Sequence, residues 1–153
     1  MRPIAALTLM LVSACAPMLW GAHDDNVTTT IGLPADSVLR VATTQLEHHG
    51  FLVHDLGGGV LITAPQAVPS HLTEDASEQW MLRVQVEPLS FVRGSRVTVR
   101  GYTLPPGVTL ASTNQVSRNA IPVTTVRTPR LFREVEAAAG WINDAAARRR
   151  AGQ

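Results

Sequence analysis

The chain has 153 residues, 45% of them apolar and 16% charged; that length suits one domain, and that composition excludes a wholly disordered chain. Thirteen arginines and no lysine face twelve acidic residues, a net charge of +1, which removes the electrostatic case for nucleic acid, since duplex binding needs clustered cations on phosphate. A single cysteine excludes an internal disulfide and any multi-cysteine zinc site.

Met1-Arg2 is a short positive start, and Ile4 to Val12 is almost wholly apolar, broken by Thr8. Ser13-Ala14-Cys15 follows, so the order is that of a secretory signal: charge, apolar run, small residues. The apolar run is too short to cross a hydrocarbon core of about 30 Å as a helix.

Val12-Ser13-Ala14-Cys15 resembles the lipobox of bacterial lipoproteins, in which an aliphatic and two small residues precede an invariant Cys. The resemblance implies a diacylglycerol thioether on Cys15, cleavage just before it, and acylation (palmitate-like) of the new amine. Residues 1–14 are then a signal peptide. Ala16 stands where an Asp retains such proteins at the inner membrane, so the resemblance implies the periplasmic face of an outer membrane. Several chains on one Cys anchor firmly, whereas a single chain holds weakly.

Residues 15–26 read as a lipid-anchored tether and 27–145 as one folded domain. Val27 to Ile31 favours an extended strand. Pro34 suits a helix start, with Asp36 and Ser37 as capping types. Val38, Val41, Ala42 and Leu46 then fall on one helical stripe. His48-His49 fall in the last turn, where a cation suits the dipole, and Gly50 supplies a left-handed C-cap.

Phe51 to His54 and Val60 to Thr63 read as strands of a hairpin turning at Gly57-Gly58-Gly59. That triplet lacks the Lys-Ser/Thr of a phosphate loop and opens no helix. Residues 64–79 read as a loop, with two prolines and many polar residues. Trp80 to Glu87 alternates cleanly, with Leu82, Val84 and Val86 on one side. Arg96 to Tyr102 alternates again, with Val97 and Val99 inside, so both runs predict half-buried antiparallel strands. Residues 103–127 carry no firm pattern, although 25 residues without one are long for a loop and 121–126 suits one more strand or an extended crossing segment. Thr128-Pro129 predicts an N-cap and first helical residue, and Leu131, Phe132, Val135, Ala138, Ala139 and Ile142 make the buried stripe beside Trp141. Residues 146–153 are basic and are expected to fray.

The order predicts an α+β fold: an antiparallel sheet of four to five strands with two helices packed on one face. Leu33 through Thr63 is also loosely similar to small envelope lipoprotein domains, such as those of the lipoprotein C subunit of the outer-membrane β-barrel assembly machinery. Leu46 to Phe51 and Leu61-Ile62-Thr63 carry that likeness, which implies something of fold only.

No catalytic constellation is visible in the sequence: there is no G-x-S-x-G elbow, and Cys15 is committed to lipid. His48 and His49 point about 100° apart on a helix and make no i, i+4 metal pair, so no metal or cofactor is expected. Arg83, Arg96 and Arg100 are the candidate partner surface, on the wet side of the sheet, with Gln85 and Glu87 between them. The expectation is a non-enzymatic, membrane-anchored protein that binds an envelope partner. The alternative is a small-molecule or lipid binder with an apolar groove between helix and sheet, and an envelope enzyme ranks third.

Overall fold

The structure is a computed structural model that describes residues 25–72, 78–90, 92–104 and 120–152. It is an α+β fold: seven antiparallel strands with both helices on one face. In chain order the elements are β1 (Val27–Ile31), α1 (Ala35–His48), β2 (Val53–Gly57), β3 (Val60–Thr63), β4 (Gln66–Ala67), β5 (Gln79–Pro88), β6 (Ser95–Leu104), β7 (Ile121–Pro122) and α2 (Pro129–Ala151). The central order is β1-β6-β5-β3-β2, with β4 on the edge of β5 and β7 on the edge of β6.

The strand count exceeds the four to five expected. The excess is the two-residue strands β4 and β7. β4 lies within 64–79, read from sequence as a loop. It continues along β5 the lane that β3 began, with Gln66 opposite Trp80 and Ala67 opposite Gln79. Pro65 interrupts that lane because it has no N–H to give. At the break the Thr63 hydroxyl takes over: Leu82 N–H donates to Thr63 Oγ1 at 2.9 Å, with both residues fully buried.

Helix α1 begins at Ala35, earlier than a cap at Asp36 or Ser37 would allow. Pro34 is the N-cap, and Ser37 and Val38 N–H both donate to its carbonyl. Asp36 therefore sits in the first turn, where a carboxylate suits the dipole but closes no cap. The C-terminus follows the expected form. Gly50 has φ +86°, Gly50 N–H reaches back to Glu47 O, and Phe51 N–H reaches back to Leu46 O at 3.0 Å. Phe51 and Leu46 are both buried, which supplies the apolar contact that accompanies this cap. Phe51 is thus a capping residue and not the first residue of β2.

The expected stripes are the buried ones: Val38, Val41, Ala42 and Leu46 of α1, and Leu131, Phe132, Val135, Ala138, Ala139 and Ile142 of α2. They meet Leu82, Val84, Val86, Val97 and Val99 of the sheet in one core. Gly101 sets how closely α2 approaches β6, because a Cβ there would stand 2.6 Å from Val135 Cγ2. Thr128 and Pro129 do begin α2, but the Thr128 side chain makes no cap bond. Its hydroxyl turns back to Thr124, accepting from N–H and donating to O. The helix then runs to Ala151 where a frayed tail over 146–153 was expected, and Ala146 is 1% exposed. Among the described residues, no helix is long and apolar enough to cross a membrane.

Candidate functional site

Alternation gives the sheet a second face, on which no helix of the described residues packs. Pairing registers place its side chains in rungs across the strands. Glu87 stands opposite Arg96, which stands opposite Thr30. Gln85 stands between Val60 and Thr98, and Thr98 is paired with Thr28, their hydroxyls 3.3 Å apart. Arg83 stands between Ile62 and Arg100, and Ile62 is paired with His54. Met81 stands opposite Tyr102.

The three arginines expected on this face therefore separate into two settings. Arg83 and Arg100 are direct cross-strand partners and half-buried. Like charges so placed oppose strand pairing. Arg96 is exposed and stands opposite Glu87, whose Oε1 accepts from Gln85 Nε2 at 2.8 Å. The face becomes apolar from the arginine rung onward: Ile62 on that rung and Met81 and Leu104 beyond it are buried, with Tyr102 and Ala120 against them. The face is thus graded from Glu87 and Arg96 at the β5–β6 turn, through the arginine pair, to an apolar end. Sequence alternation placed each residue on this face, but pairing alone brought Arg83 to Arg100.

The other candidate residues are dispersed. Cys15 and residues 1–24 lie outside the described residues. Asp25, the penultimate residue of the expected tether, is docked: its Oδ2 accepts both the backbone N–H and the hydroxyl of Thr125. His49 stacks on Trp141, with His48 edge-on to it. His54 is on the open face, and His71 lies beside Arg130, which donates to its carbonyl. Among the described residues no group of three or more His, Cys, Asp or Glu is placed to hold a metal. Trp80 Nε1, among the described side chains, is buried without a hydrogen-bond partner.

The largest described groove, about 700 Å³, runs between Val68–Leu72 and the start of α2. Its lining mixes Ser70, His71, Glu78, Arg127 and Arg130 with Val68 and Leu131. It opens at the rim and is not an apolar space between the layers. At Gly101 those layers lack room even for a methyl group.

The site is therefore a graded, one-sided sheet surface on an α+β fold. No family model matches the chain. No curated protein matches it. Among solved structures, it is similar to a crystal structure of a Deinococcus radiodurans protein, a structural-genomics target, at 18% identity over 61% of this chain and 90% of that one, with a TM-score of 0.31. A likeness of that size carries no argument about fold or function.

Proposed function

We propose that this chain is an exported lipoprotein, anchored by acyl chains on Cys15 to the periplasmic face of an outer membrane, whose non-catalytic α+β unit binds an envelope protein through the open face of its sheet. The anchor rests on the lipobox resemblance of Val12-Ser13-Ala14-Cys15. The binding surface rests on the Arg83–Arg100 rung. Two arginines on one cross-strand rung concentrate positive charge there, which favours a partner of acidic surface. Half-buried Tyr102 on the next rung adds the aromatic contact found at the centre of interfaces.

The test is affinity capture of tagged protein from the membrane fraction after mild crosslinking. The normal chain is expected in membranes with a reproducible partner. Cys15→Ser should lose the membrane, and a chain with Arg83, Arg96 and Arg100 all changed to Ala should stay in the membrane but lose the partner. Unchanged recovery with the triple variant would remove the sheet face from consideration. A soluble normal chain would remove the anchor.

A further inference from the structure

Val126 is 83% exposed, more than Leu52, Leu56, Val92 or Ile121, the other exposed large apolar residues among those described. It sits in a turn that is fastened on every side. Arg127 N–H donates to Thr124 Oγ1 at 3.0 Å, Thr124 N–H donates to Thr128 Oγ1 at 3.0 Å, and Thr128 N–H donates to Thr124 O at 3.0 Å. The turn thus presents its valine on a rigid platform, and burying it elsewhere loses little conformational freedom.

The chain arriving from Cys15 is fastened to this same turn. Asp25 Oδ2 accepts from both Thr125 N–H and Thr125 Oγ1, a hundred residues away in sequence and next to Val126. Ten residue steps separate Cys15 from Asp25, a reach of at most about 36 Å. The β5–β6 turn, with Val92, lies beyond Ser95, whereas this corner stands level with Gly101, whose carbonyl accepts from Val123 N–H; the two are roughly 20 Å apart along the sheet. Arg127, next to Val126 in sequence, and Arg130, in the first turn of α2, are exposed, and Arg130 Nη1 also donates to His71 O at 3.4 Å. Of the carboxylates here, Asp25 is engaged by Thr125, and Glu78 lines the groove that Arg127 and Arg130 also line. An apolar tip followed by two exposed arginines matches the headgroup layer of an anionic membrane: acyl region for the valine, phosphates for the cations.

We propose that this corner, built from Asp25 and residues 124–127, is the part of the domain that meets the lipid surface. Val126 enters the headgroup layer, Arg127 and Arg130 lie against phosphates, and the Asp25–Thr125 clamp holds the domain in that orientation. The inference rests on the lipid-anchored reading above.

The experiment uses the full, lipidated chain in vesicles of phosphatidylethanolamine with a minor share of phosphatidylglycerol. With Cys15 in a thioether, Val126→Cys and Val92→Cys each carry one free thiol for an environment-sensitive fluorophore. Nitroxide lipids labelled at headgroup depth should quench position 126 severalfold more than position 92, with a blue shift at 126 alone. Equal quenching, or more at 92, in a chain whose intact mass includes the diacylglycerol would overturn the orientation and leave the anchor standing. A mass without the lipid, and a soluble chain, would overturn the anchor and this inference with it. Asp25→Ala should shrink the contrast between the two positions, and Asp25→Asn, which keeps an acceptor oxygen, should retain it. An unchanged contrast in Asp25→Ala would overturn the role given to the clamp.

Discussion

His49 lies flat against Trp141, the ring centroids 3.5 Å apart and the planes 8° from parallel. His49 is the C-cap of α1 and Trp141 belongs to α2, so the stack closes the seam between the two helices at the surface. The half-buried indole packs against the core as well.

His49→Ala should therefore lower stability by about 0.5–1.5 kcal/mol, the range of aromatic pairs beyond their buried area. His49→Phe should keep most of it. Urea unfolding of both variants, alone and with Trp141→Ala in a double-mutant cycle, checks the pair. A coupling energy near zero would show the stack to be mere proximity.

Thr63→Val removes the acceptor of Leu82 N–H at a fully buried position and nearly preserves shape. An orphaned buried donor costs about 1–3 kcal/mol. Thr63→Ser keeps the hydroxyl and should lose far less. Comparing the two midpoints in denaturant separates the hydrogen bond from the packing of the methyl group.

Gly101→Ala should be destabilising by about 1–3 kcal/mol, as for other overpacked sites. The cause is the 2.6 Å approach of the new methyl to Val135 Cγ2. Val135→Ala opens that space, so the double variant should lose less than the sum of the two single losses. Strict additivity would place the strain elsewhere, with Val123, which is also close, the next position to vary.

Arg83→Gln removes one of two like charges set opposite each other. Stability should stay level or rise by a few tenths of a kcal/mol, by the usual size of cross-strand pair effects. Partner recovery should fall nonetheless. A thermal melt beside the capture experiment tests both halves, and a lowered Tm with normal capture would assign Arg83 to the fold.

Local pattern carried much of the architecture. Both helical stripes, the alternation of Leu82, Val84 and Val86 against Val97 and Val99, and the glycine that ends α1 were legible because each depends on residues within a turn or two. Of the two-residue strands, β4 was not, and β7 was foreseen only as one of two readings of 121–126. Gln66-Ala67 and Ile121-Pro122 have no period of their own and are strands only because β5 and β6 offer them an edge. Thr128 shows the same limit: its place at the start of α2 was readable, but its bond to Thr124 in place of a cap was not.

The amino-acid sequence by itself determined the apolar start with its lipobox-like Cys15, the α+β class, and which side chains of each element turn inward. Those follow from spacing along one chain, where neighbours are fixed by covalent geometry. Only the tertiary structure decided that Arg83 meets Arg100, that His49 lies on Trp141, that Gly101 lets α2 down onto β6, and that Asp25 is fastened beside Val126. Those relationships join residues far apart in the chain. They are set by which strand edges and helix faces bury the most apolar surface together, and no local period encodes that choice.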